Sequence, residues 1–165
     1  MRLEGSCHCS SVRFTVRSAH PYPYNSCYCS ICRKTAGGGG YAINLGADYG
    51  TLDIHGQQHI GVYRPAIPDS VTSGVIESPA QRSFCRICGS ALWVWDTRWP
   101  DLVHPFASAI DTELPIPPER VHMMLEFKAP WVEVHAGARD QKFDGFPQES
   151  LAEWHRRLDL EDSDT

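Results

Sequence analysis

Long apolar runs are missing from this 165-residue chain. No stretch reaches the ~18 residues that mark a transmembrane helix. The start, MRLEGSCHCS, has no apolar segment of the kind a secretory leader carries. Both absences point to a cytoplasmic protein with no membrane partner. Lysine is scarce, with three among the fifteen basic residues, and the formal net charge is −5. That balance argues against a nucleic-acid partner, because backbone binding usually shows as a basic face. Several catalytic fingerprints are also lacking. The glycine run Gly37 to Gly40 is not followed by G-K-[ST], so it reads as a loop and not a phosphate cradle. His55 and His59 in HGQQH lack the glutamate of H-E-x-x-H, and Gly56 weakens any helix there. No Ser-His-Asp order, paired-carboxylate motif, dinucleotide glycine pattern or internal repeat stands out.

What is present fits one domain that is mainly β with short helices. The stretch SSVRFTVR alternates, with Val12, Phe14 and Val16 on one face and Arg13, Thr15 and Arg17 on the other, the mark of a half-buried strand. GYAINLG, GTLDIHG, QRSFC, SALWVWD, HMMLEFK and WVEVHAG are further strand candidates. Trp93 and Trp95 share a strand face and read as core. Two helices are expected: a short one beginning near CSICRKTA, and PQESLAEWHRRLDL, which opens on Pro147 and spaces Leu151, Trp154 and Leu158 helically. The segments 64–79 and 98–120 read as loop-rich crossings, and the tail EDSDT as frayed.

The seven cysteines carry the chemistry. They fall into three groups: Cys7 and Cys9, then Cys27, Cys29 and Cys32, then Cys85 and Cys88. In a reducing compartment such clustering points to metal, not disulfides, and an odd number would leave one thiol over. Residues i and i+2 of a strand point the same way, so Cys7 and Cys9 are expected to reach one ion from the first strand. In C-x-x-C-G the glycine, here Gly89, tolerates the positive φ of a tight knuckle. Two pairs make a closed four-sulfur set, whereas a triplet leaves a coordination position open, the pattern of a catalytic zinc. Spacing does not say which groups join. Arg33 and Lys34, directly after Cys32, are candidates to hold a substrate carboxylate or offset charge, or simply to solvate a helix start.

GSCHCSSVRF, CYCSICRKTAGG and SFCRICGSALW, in this order, resemble the three motifs of the glutathione-dependent formaldehyde-activating enzymes, a family shared with centromere protein V. EFKAPWVEV…DGFPQ is similar to that family's ending, so the resemblance covers residues 5–147. It implies a zinc-bound coiled-β fold over residues 1–147, followed by a C-terminal helix and tail over 148–165. It also implies the partition: Cys7, Cys9, Cys85 and Cys88 around a structural zinc, and Cys27, Cys29 and Cys32 around a catalytic one, two zinc ions per chain. Two positions depart from the family pattern. Ser10 stands where a glycine is common, and Tyr28 where a histidine is common. Tyr28 is therefore a candidate for altering substrate choice beside the open site.

The resemblance implies a carbon–sulfur lyase working in the joining direction, adding glutathione or a similar thiol to formaldehyde or another small electrophile. Three thiolates leave a bound zinc at net −1, which weakens it as a Lewis acid and favours capture of the substrate thiol as thiolate. The competing reading is a zinc-stabilised protein-interaction module without catalysis, since fold alone does not fix function. Against it stands the triplet, because a purely structural module has no need of an open position.

Overall fold

A computed structural model describes residues 1–69 and 71–160; the tail EDSDT lies outside the described residues. The strands are β1 (Arg2–Ser6), β2 (Arg13–Arg17), β3 (Tyr24–Cys27), β4 (Ala42–Asn44), β5 (Ala47–His55), β6 (Ile60–Tyr63), β7 (Ala66–Pro68), β8 (Val75–Glu77), β9 (Ala80–Cys85), β10 (Ala91–Asp96), β11 (Leu102–Pro105), β12 (Arg120–Met123) and β13 (Gln141–Lys142). The helices are α1 (Ser30–Ala36) and α2 (Leu151–Arg157). The protein is thus mainly β with short helices, in one domain.

Seven strands form an antiparallel sheet in the order β1-β2-β5-β11-β10-β9-β6. A mixed sheet, β13-β12-β3-β4, packs beside it, with β12 parallel to both β3 and β13. β7 and β8 pair as a separate hairpin within the loop-rich segment 64–79. The alternation in SSVRFTVR is realised: Phe14 and Val16 are buried on β2, and Val12 just before it. They join Leu3, Leu92 and Trp93 in the main core, where Phe14 meets Trp93 edge-on at a centroid distance of 5.1 Å. Full burial of each such side chain stabilises the fold by about 1.5–3 kcal/mol. β10 is covered on both faces. Its Trp93 faces the main core, and the next residue, Val94, faces a second cluster with Ala80, Phe106, Cys27 and Cys32.

Three local expectations are corrected. WVEVHAG forms no strand, and residues 132–137 run without regular pairing. HMMLEFK is a strand only to Met123, because Met124 turns to φ 61° and Leu125–Phe127 form a 3₁₀ turn. The C-terminal helix starts at Leu151 and not at Pro147: Ser150 caps it, accepting from the Glu153 N–H at 3.2 Å, while the Glu153 carboxylate accepts from the Ser150 N–H at 2.7 Å. Trp154 of this helix is buried and donates from Nε1 to Glu119 Oε1 at 2.7 Å.

Candidate metal centres

The seven-stranded sheet curls so that its distant turns meet. The turn between β1 and β2 carries Cys7 and Cys9, and the knuckle between β9 and β10 carries Cys85 and Cys88. The four sulfurs lie within 4.8 Å of one another. Sγ of Cys9 is 3.5 Å from that of Cys7 and 3.8 Å from that of Cys85. A tetrahedron with Zn–S bonds of about 2.3 Å has edges of about 3.8 Å, so this donor set fits zinc. Cys7 and Cys9 do not lie on a strand, as expected from their spacing, but in a tight turn. Ser10 N–H donates to Cys7 O at 2.9 Å and Cys7 N–H to Val12 O at 3.0 Å, and the reversal itself brings the sulfurs together. Ser10, where the family favours glycine, holds φ 59°. On the opposite turn Gly89 has φ 76°, as the knuckle requires, and its N–H donates to Cys85 O at 2.8 Å. The two turns are tied by His8 N–H donating to Ser90 Oγ at 3.1 Å. Thiol environments differ within the set: burial pushes Cys7 up to about 11, and the Ser90 hydroxyl draws exposed Cys88 down to about 5.

The second cluster gathers Cys27, Cys29 and Cys32, again with sulfurs within 4.8 Å. Cys27 ends β3 between Ala42 of β4 and Met123 of β12. Cys29 caps α1, its sulfur accepting the Cys32 N–H at 3.3 Å. Cys32 sits one turn into the helix. Cys27 and Cys32 are 4% and 3% exposed, with Cys29 half-buried. Shared hydrogen bonds with Cys29 and Cys32, reinforced by burial, push the Cys27 thiol far above its usual range, while Cys29, bonded to Cys27, is held well below it. Three thiolates this close and this dry repel one another, and a divalent soft cation is the natural counter-charge. The donor set therefore fits zinc with one position left over.

Among the sequence candidates around this triplet, Arg33 lies half-buried on α1 with its Nε buried and without a hydrogen-bond partner among the described residues. The Lys34 side chain is exposed and makes no hydrogen bond or ion pair among the described residues. Tyr28 does not present an open face to a ligand. It is 1% exposed, in a third cluster with Ala129 and Val132, and its side chain leaves the strand opposite to its cysteine neighbours. Its hydroxyl bonds His122 Nδ1 at 2.9 Å, and His122 Nε2 lies 3.4 Å from Asp140 Oδ2. Burial would raise the Asp140 carboxyl, but the N–H groups of Gly137 and Arg120 outweigh it and hold the group below its usual range. Asp140 is thus a carboxylate placed to accept a hydrogen bond from His122 Nε2–H, an arrangement in which Nδ1 accepts from the Tyr28 hydroxyl.

Sequence reading missed Asp140 and Arg82. Arg82 reaches the triplet from β9, with Nη2 3.7 Å from Cys32 Sγ. The available signal was the strand period: Arg82 shares a face with Ala80, which packs with Cys27 and Cys32. A polar cleft of about 460 Å³ opens beside the set of four, lined by Ser6, Cys7, His8 and Ser10 and by Thr35 and Ala36 of α1. No helix among the described residues is long and apolar enough to cross a membrane.

Comparison with known proteins follows this geometry. The family model for glutathione-dependent formaldehyde-activating enzymes matches residues 2–126. A Halomonas elongata protein named "Putative glutathione-dependent formaldehyde-activating enzyme" is 62% identical over 162 residues, 98% of this chain and 99% of that protein. A solved Rhodobacter sphaeroides protein, a structural-genomics target, superposes with a TM-score of 0.52 at 23% identity, over 70% of this chain and 92% of its own, and shares the fold. The chain belongs to the glutathione-dependent formaldehyde-activating enzyme family.

Proposed function

We propose that this protein is a zinc-dependent enzyme of the cytoplasm that joins a thiol, glutathione or one like it, to formaldehyde or another small aldehyde. In the reverse direction it is a carbon–sulfur lyase. The observation that carries the reading is the split of seven cysteines into a set of four and a set of three. Residues 1–147 form the zinc-binding domain and residues 148–165 an appended helix and tail. Cys7, Cys9, Cys85 and Cys88 would hold a structural ion that clamps the two ends of the curled sheet, and Cys27, Cys29 and Cys32 the catalytic one. Zinc bound at the triplet would supply an open position where a substrate thiol is held as thiolate.

The chain's own residues do the rest. Val94, Phe106 and Met123 pack around the triplet and keep bulk water from the reacting atoms. Arg33, with a buried unpaired Nε, supplies positive charge beside Cys32. The polar cleft offers room for the body of the thiol, and Ala36 and Ala91 wall both the cleft and the packing around the triplet. Tyr28 acts from behind: its bond to His122 fixes the backbone between Cys27 and Cys29.

The test is NMR exchange spectroscopy of formaldehyde with glutathione, with and without the zinc-loaded protein. Acceleration is expected, and removal of Cys27, Cys29 and Cys32 together should abolish it and lower the zinc content by one ion per chain. Unchanged exchange across a panel of thiols would reject catalysis in favour of an interaction module.

A further inference from the structure

Buried polar side-chain atoms without partners are rare in folded proteins, and each one calls for an explanation. Among the described residues there are three, Arg33 Nε, Arg82 Nε and Arg82 Nη1. Arg33 follows Cys32 in sequence, and Arg82 reaches it in space, with Nη2 3.7 Å from its sulfur. No carboxylate among the described residues pairs with either arginine, and Cys32 packs with the apolar Ala42, Ala80, Val94, Phe106 and Met123. A guanidinium carries five N–H donors in a fixed fork. Arg82 spends one on a sulfur of the triplet and holds three more, on Nε and Nη1, buried and free beside the same centre. A buried cation with idle donors is a site prepared for negative charge.

We propose that Arg82 is a catalytic residue, one of whose free N–H donors, on Nε or Nη1, holds the oxygen of the aldehyde and takes up the charge that develops there. This rests on the thiol–aldehyde reading above. A donor so close to a sulfur of the triplet is within reach of the reacting atoms. The carboxylates of glutathione, several bonds from its sulfur, fall further out. In the step, the thiolate sulfur forms a bond to the carbonyl carbon and the C=O π pair moves onto oxygen. Arg82 stabilises the resulting alkoxide without giving up its own proton. The alkoxide then takes a proton from solvent, replacing the one the thiol released on ionising, so that thiol plus aldehyde gives the hemithioacetal. An N–H donated to Cys32 also draws electron density from that sulfur and offsets part of the triplet's negative charge.

The experiment compares the zinc-loaded wild type with Arg82→Ala and Arg82→Lys in formaldehyde–glutathione exchange. Arg82→Ala should keep both zinc ions and leave the thiol KM within a few-fold, while kcat falls on the order of 10²–10³-fold, the loss typical of an oxyanion donor. Added guanidinium ion should restore part of the rate. In the cobalt(II)-substituted protein, the sulfur-to-metal charge-transfer band should move to lower energy in Arg82→Ala as Cys32 loses its donor. A wild-type rate in Arg82→Ala would overturn the proposal while leaving the thiol–aldehyde reading intact. So would a loss of rate that follows zinc loss and ignores guanidinium, since Arg82 would then be a structural partner of Cys32. If Arg82→Ala does not fold, Arg82→Lys decides: a drop of about tenfold or more at unchanged thiol KM is expected, because an ammonium cannot present the fork, and an unchanged rate overturns it. A wild type that never accelerates exchange would defeat the reading beneath.

Discussion

The two cysteine clusters use the same atom in different surroundings. The set of four spans core and surface, with Cys7 and Cys85 buried in the main core and Cys9 and Cys88 exposed, whereas no member of the set of three is exposed and it packs in an apolar cluster beside an arginine. A closed four-sulfur set satisfies an ion without help, so it needs no shelter and can serve as a clamp. A three-sulfur set in water would complete itself with solvent. Placed in the core, it keeps that position for a ligand the protein selects. On the proposed reading, the set with two exposed sulfurs is the clamp and the set with none exposed carries the chemistry.

The largest effect should come from breaking the clamp. Structural zinc in small domains contributes about 10–16 kcal/mol of folding free energy, as much as the ~5–15 kcal/mol that keeps a typical domain folded. Cys85→Ala together with Cys88→Ala should therefore abolish the cooperative melt followed by circular dichroism. Cys27→Ser, Cys29→Ser and Cys32→Ser together should leave a folded, less stable protein. The reverse result would exchange the roles of the two centres.

A smaller effect separates metal from ordinary titration in acid. Burial depresses the pKa of His104, which lies on β11 and donates from Nδ1 to Leu45 O at 3.0 Å. The folded state thus prefers the neutral ring. Its contribution is fully present above the unfolded value of about 6.5 and is lost as pH falls from there through the lower folded pKa. His104→Gln should flatten that part of the stability–pH curve in urea titrations, leaving the acid release of zinc from the thiolates as the remaining slope.

The smallest effect tests the turn that carries Cys7 and Cys9. Ser10 holds a left-handed conformation that costs a non-glycine residue about 1 kcal/mol or more, so Ser10→Gly should raise stability by ~1 kcal/mol with zinc content unchanged. A destabilised Ser10→Gly would show that the serine side chain does more than tolerate the turn.

Much of this contrast was legible in the chain. The spacing of the cysteines made sets of four and three, Gly89 announced the knuckle, and SSVRFTVR announced β2, because each signal is local. The partition of the groups was not in the spacing and came with the family resemblance. Other readings failed where local pattern met long-range packing. Cys7 and Cys9 looked like strand neighbours but occupy a turn, and WVEVHAG alternates yet finds no partner strand. Tyr28, placed beside a ligand by its position in CYCSIC, turns away because neighbouring residues of an extended segment point to opposite sides.

The sequence by itself determined the donor inventory, the mainly β character and the family, since these rest on residue identity and short-range period. The tertiary structure brings the sulfurs of each set together, and it alone shows that no sulfur of the triplet is exposed and that Arg82, fifty residues from Cys32 along the chain, supplies its positive neighbour. The physical reason is that metal geometry and charge act over a few ångströms of space. Distance along the sequence sets neither.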